Sequence, residues 1–192
     1  MYDWFNSKKA AQLAAFFCDK QGGSIPVLKL VKLIYLADRQ FMAECGLPIT
    51  NDHHVSMEHG PVNSLTYDLI GGSIETDDWS DLISVRNGHD VSLSRQLTED
   101  DDDELSDAEI DVMIGVWDRF GHMNKYDVRD WTHKNCPEWE DPQGSSSPIP
   151  IERTLRFLAV ESPDEFAKRT VVHREFRAAI SEIEENIANK SW

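Results

Sequence analysis

The residue with the most chemical leverage in this sequence is Asp38. It falls in the middle of an apolar arc through Leu30, Leu33, Ile34, Phe41 and Met42, drawn at about 100° per residue over the helical stretch Val27 to Cys45. A carboxylate buried without a partner costs several kcal/mol, so it must be hydrogen-bonded or hold its proton. The donors that follow directly in sequence are His54, His59 and the backbone N–H groups of a helix opening at Pro61. Perturbed acids mark catalytic sites and also structural ties between elements. The tie between helix and loop is the plainer reading, and a catalytic carboxylate is the alternative.

His53, His54 and His59, with Cys45 upstream, are the residue types of a zinc site. Their spacing fits no compact ligand motif, and neither CxxC nor HExxH occurs. His133 and Cys136 stand three apart, as a base and a thiol nucleophile could, but Pro137 breaks the helix at that point. Serine hydrolase, P-loop and dinucleotide-binding chemistry also lack their apparatus, because GxSxG, GxxxxGK[ST] and GxGxxG are absent. An enzyme would have to be assembled from Asp38, His54, His59 and His133, as a metal-assisted hydrolase. A binding protein with no metal and no cofactor is the reading with fewer requirements.

Those residues need a scaffold, and the chain is long enough to supply one. Its 192 residues suit a single domain over 1–192 at about 150 residues per domain. Nineteen basic against thirty-five acidic side chains give a net charge of −16, which repels phosphate backbones and makes a nucleic-acid partner an unfavoured expectation. Three widely spaced cysteines and a first segment without a basic-then-apolar signal pattern suit a reducing cytoplasm. The longest apolar runs fall far short of the roughly twenty residues of a membrane span.

The fold class expected from periodicity is mainly α, a compact helical domain with a small antiparallel β element. Ala10, Leu13, Ala14, Phe17 and Cys18 mark a first helix over Ser7 to Gln21, closed by Gly22-Gly23. Ser24-Ile25-Pro26 reads as a cap and first-turn proline before Val27 to Cys45, with Lys29, Lys32, Arg39 and Gln40 on the polar side of that second helix. A short helix from Pro61 ends at Gly71-Gly72. A hairpin then pairs Ile83 with Leu93 and Val85 with Val91 around Asn87-Gly88-His89, placing Arg86 opposite Asp90. Glu99 to Glu104 reads as a solvated acidic loop. Ser106 and Glu109 form a capping box for a helix through Ile110, Met113, Trp117 and Phe120, and a shorter helix runs from Asp127 to His133. Residues 136–150, with four prolines, form a loop whose Pro/Ser-rich part is 140–150. A helical extension over 151–189 follows, packing on the core or on a partner. Its last helix carries a narrow seam of Phe166, His173, Phe176, Ile180, Ile183 and Ile187, as in a contact between two helices.

The order of motifs resembles the Panacea domain of the SocA-like antitoxin family. The apolar helix carries Lys32, Leu33, Tyr35, Ala37 and Asp38; then come Gly46, Pro48, Ile49 and Thr50, a polar strand, and His59-Gly60-Pro61-Val62 leading to Tyr67. Val128 to His133, with Thr132, and Pro137-Glu138-Trp139 resemble the family's closing element, so the likeness covers 7–139. Met57-Glu58 departs mildly from the residues usual before His-Gly-Pro. The resemblance implies a helical domain that neutralises, by direct binding, a toxin encoded by a neighbouring gene. It also implies an alternative in which the domain hands its toxin to a bacterial protease. It brings no catalytic residue or cofactor, and it makes Tyr35, Asp38, His59, Gly60, Pro61, Tyr67, Thr132 and His133 residues of the fold. Trp131, Trp139, Phe176, Ile180 and Ile183 are the candidate contacts, since aromatic residues and narrow apolar seams anchor interfaces, to a toxin or to a second copy of the chain. The acidic surplus suits capture of a basic partner.

Overall fold

The computed structural model of the protein describes residues 4–188. In chain order the elements are α1 (Ser7–Lys20), β1 (Ser24–Pro26), α2 (Val27–Cys45), β2 (His54–Met57), β3 (Gly60–Asn63), α3 (Ser64–Gly71), α4 (Asp77–Leu82), β4 (Asp90–Ser92), α5 (Asp107–Phe120), α6 (Lys125–Asn135), β5 (Ser147–Ile149), α7 (Ile151–Phe157) and α8 (Pro163–Ala188). Helix dominates, with one two-stranded and one three-stranded antiparallel sheet, which agrees with the expected class. No helix of the described residues is long and apolar enough to cross a membrane.

α2 is the axis of the molecule. It packs on α1, α5, α6 and β3 and buries Val27 and every residue from Lys29 to Asp38. Lys29 and Lys32 are therefore inside, which corrects the expected polar side: an amphipathic reading assumes one face in water, and this helix is wrapped. α1 can approach it closely because Ala10, Ala11, Ala14 and Ala15 present only methyl groups. α2 stops at Gly46, whose φ of +75° is the left-handed C-terminal cap; the Phe166 ring occupies the space a side chain would need there.

The three-stranded sheet has the order β3-β2-β5. His54 pairs with Asn63 on one side and with Ile149 on the other. Pro61 and Pro148 sit on the two outer strands, where a missing N–H costs least. Two expectations are corrected here. The helix expected from Pro61 begins only at Ser64, with His59 in the turn joining β2 to a strand, and the segment expected as loop up to Pro150 contributes β5.

In the smaller sheet, Ser24–Pro26 is a strand pairing Ile25 with Val91, not merely a cap and a first-turn proline. The hairpin keeps the expected Ile83–Leu93 pair, but its tip pairs Asn87 with Asp90 around Gly88-His89. One extra residue on the first strand absorbs the shift, so Val85 is 90% exposed and Arg86 bonds the Gly88 carbonyl instead of facing Asp90.

The Ser106–Glu109 capping box forms as expected, the Glu109 carboxylate accepting from the Ser106 N–H at 2.8 Å. The acidic run ahead of it is irregular but clamped: Asn6 bonds Glu104, Lys8 and Gln12 bond Asp103, and Arg95 takes Asp101 with both terminal nitrogens. α7 and the first turns of α8 close the far end on Met42, through Leu155, Ala167 and Phe166.

Candidate functional site

Asp38 is fully buried and its two oxygens are filled. Oδ1 accepts from the Thr50 N–H at 2.9 Å. Oδ2 accepts from the Thr50 hydroxyl at 2.5 Å and the Asn63 amide at 2.7 Å, and lies 3.2 Å from His54 Nε2. Of the expected donors, His54 is present and His59 is not. The N–H groups that open α3 go to a second fully buried carboxylate, Asp52, which accepts from Leu65 N at 3.0 Å and from Thr66 N and Oγ1 at 2.8 and 2.9 Å. Asn63 occupies the cap position of α3, but its side-chain oxygen makes no cap bond and its amide donates to Asp38; Asp52 accepts the N–H groups in its place. Burial raises the Asp52 pKa, against the three bonds from Thr66 and Leu65 that favour its charge. Thr50 joins the two acids, since its hydroxyl also accepts from the Asp52 N–H.

One turn away on α2, Tyr35 and Arg39 meet Glu138. The Tyr35 hydroxyl donates to Oε1 at 2.6 Å, and Arg39 donates from Nε at 2.5 Å and from Nη2 at 3.3 Å. Glu138 is fully buried. Burial, then the Glu138 charge, holds the Tyr35 hydroxyl well above its ordinary pKa. The His54 ring stands edge-on to Tyr35 at 5.0 Å, so the two polar groups are neighbours.

The His-Gly-Pro turn forms a third group. Lys32, fully buried, donates to the Pro61 carbonyl at 2.8 Å. Gly60, at φ +97°, leaves the space through which Lys32 Nζ and the His133 ring approach; a Cβ there would lie 3.0 Å from each. His133 stacks on Trp139 at 4.2 Å, and Trp139 Nε1 donates to the Met57 carbonyl at 2.9 Å. Burial lowers the His133 pKa, with Lys32 adding to it and a bond to the His59 backbone opposing it. Thr132, fully buried, donates to the Arg129 carbonyl at 2.7 Å within α6. Asp38 and His54 are thus brought together, whereas His59 and His133 belong to this separate group. His59 itself is exposed.

The family model for the antitoxin SocA-like, Panacea domain matches residues 30–140, more than half of the chain. This chain belongs to the SocA-like antitoxin family. The match runs from α2 to just past Trp139 and takes in all three polar groups. No curated protein and no solved structure gives a match. Asp52 and Asn63 are the members of these polar groups that no sequence motif marks, while Thr50 and Glu138 stand in motifs without their partners being legible. The signal for Thr50 is adjacency to Pro48-Ile49, and for Glu138 adjacency to Trp139.

The candidate contact residues divide. Trp139 is committed to His133 and Met57, and half-buried Trp131 packs edge-on to Phe120 at 4.7 Å under the Arg119 guanidinium. Beyond the Panacea match, α8 is pinned at Asn51 and Asp52 by Arg174, which bonds both carbonyls and lies 4.7 Å over the Trp4 ring. Its seam splits accordingly: Phe166 packs inward, Ile180 is half-buried, and Phe176 and Ile183 are 63% and 58% exposed, with Val172 beside them at 61%. The Ile187 side chain lies outside the described residues.

Proposed function

We propose that this protein is an antitoxin that binds and neutralises a protein toxin encoded by a neighbouring gene, without catalysing a reaction. Family membership over 30–140 is the observation that carries the reading. The geometry supports it: the carboxylates of Asp38, Asp52 and Glu138 are consumed by bonds that join α2, the loop before β2, β3, α3 and the segment after α6. Such groups hold a shape, and these three carboxylates are not free to act on a substrate.

The contact surface we assign to the exposed face of α8, with Phe176, Ile180 and Ile183 at its centre. Large exposed apolar residues on a helix are the usual anchors of helix-mediated recognition, and a net charge of −16 speeds encounter with a basic partner. Co-expression with the neighbouring gene product tests the reading: growth is expected to recover and the two proteins to co-purify. Persistent growth arrest with no complex would overturn it. Following the toxin's half-life in the same cells separates blocking, in which it is unchanged or lengthened, from delivery to a protease, in which it shortens.

A further inference from the structure

A cavity of about 530 Å³ opens beside the His-Gly-Pro turn, walled by the start of α2, the β2–β3 turn, the hairpin tip and the start of α6. Its charge is opposite to that of the protein. Lys32, Arg86 and Lys125 line it together with His59 and His89, and Glu58 is the single acid on its wall. In a chain of net charge −16 this is a locally cationic pocket. The remaining wall is apolar and aromatic, from Val27, Val31 and Val62 to Tyr67 and Tyr126.

Lys32 makes the pocket more than a chance grouping. Its ammonium is fully buried, its hydrogen bond is to the Pro61 carbonyl, and it has no ion pair among the described residues. A buried ammonium without a counter-ion is costly, and burial pulls this one down to about 7. Lys32 lines the cavity, so an anion bound there would supply the counter-charge that this ammonium lacks. Arg86 and Lys125 are permanent cations, and an anion beside Lys32 would hold its proton in place, so the lining calls for more than one negative charge, and phosphate groups meet that need better than one carboxylate. The volume lies in the range of small-molecule sites, in which apolar walls hold the body of a ligand and a few polar groups fix its orientation. The walls are also tied together, since the Val27 N–H donates to the His89 carbonyl at 2.8 Å.

We propose that this cavity binds a small phosphate-bearing molecule with a flat or apolar body, its phosphates between Lys32, Arg86 and Lys125 and its body against Tyr67 and Tyr126. The site is distinct from the α8 surface, so it stands or falls apart from the antitoxin reading.

The test is calorimetric titration of the full chain with ADP, inorganic pyrophosphate and adenosine, on the wild type and on Arg86→Ala/Lys125→Ala. Both substituted residues lie at the rim, so the variant is expected to keep the wild-type melting temperature. ADP is expected to bind, pyrophosphate to displace it, and adenosine to bind at least tenfold more weakly; the variant should lose at least tenfold in ADP affinity. Lys32→Met should lose at least as much. Absence of binding by both ADP and pyrophosphate at millimolar concentration would overturn the proposal, as would equal ADP affinity in the wild type and the rim variant. Binding of adenosine as tight as that of ADP would overturn the phosphate assignment.

Discussion

Asn63, the last residue of β3, donates its side-chain amide to Asp38 Oδ2 across 2.7 Å, in the interior of the protein. That bond fixes the exit of the hairpin against the central helix, and with Thr50 and His54 it makes Asp38 the point where four segments are held in register. Asp38→Ala is expected to leave both Thr50 donors unpaired in a dry environment and the Asn63 amide with only its 3.0 Å bond to the Thr50 hydroxyl. The cost should be about 3 kcal/mol, seen as a fall in melting temperature of roughly 6–12 °C. Asp38→Asn should cost less. A melting temperature unchanged in Asp38→Ala would mean that the node is not holding the fold.

Tyr35→Phe removes one donor from the buried Glu138 while leaving Arg39 in place. We expect a loss of about 1–3 kcal/mol in urea unfolding, and a larger loss for Arg39→Met, which leaves the carboxylate without its counter-charge. A double-mutant cycle should give a non-zero coupling between the two positions, because both act on one oxygen.

Gly60→Ala must accept a φ of +97° and a Cβ 3.0 Å from Lys32 Nζ and from the His133 ring. Destabilisation of about 1–3 kcal/mol is expected. Gly88→Ala also sits at positive φ, but nothing lies within 4 Å of its Cβ, so it should cost less. Equal costs would show that backbone strain alone, and not crowding at the turn, sets the requirement for glycine at position 60.

Lys32 gives stability a pH dependence of defined sign. Its folded pKa is lowered to about 7 from 10.5, so between those values the unfolded chain binds the extra proton. Stability should therefore rise with pH from 7, by about 2 kcal/mol at pH 9. Beyond pH 9 the buried thiols Cys18 and Cys136, both pushed up to about 12 by burial, act the other way, because the folded chain then holds the protons. Lys32→Met should flatten the rise between pH 7 and 9, and a rise of equal slope in that variant would assign the effect elsewhere.

Phe176→Asp and Ile183→Asp replace exposed residues and should leave the unfolding free energy within about 0.5 kcal/mol of wild type. Each is expected to weaken toxin co-purification by at least tenfold. If both variants retain the complex, contact is made on another face.

The parts of this fold that could be read from sequence are those decided by neighbours in the chain. The Ser106–Glu109 capping box and the apolar run of α2 were legible because each is written within one or two helical turns. β1 and β5 were not, since three residues carry no period and their partners lie far away, at Asp90–Ser92 and His54–Ser56. α4 is illegible for a similar reason: six residues make too short a pattern, although Thr76 caps it and Trp79 and Leu82 are buried. At the candidate site, the misfit of a carboxylate in an apolar arc singled out Asp38, and proximity in sequence supplied His54. Thr50 and Asn63 depend on how the loop and hairpin fold back, which spacing along one helix does not encode. Lys32 reads as a polar-side residue because periodicity assumes water on one face, and a helix enclosed on several sides has no such face.

The strand Ser147–Ile149 lies beyond the family-matched span, yet it pairs along β2. A fragment trimmed to residues 30–140 would strip that cover and present a row of unsatisfied amides and carbonyls, a template for self-association through strand addition. Deletion mapping of this protein would then read out clumping instead of recognition, so the informative perturbations are single side-chain changes within the intact polypeptide.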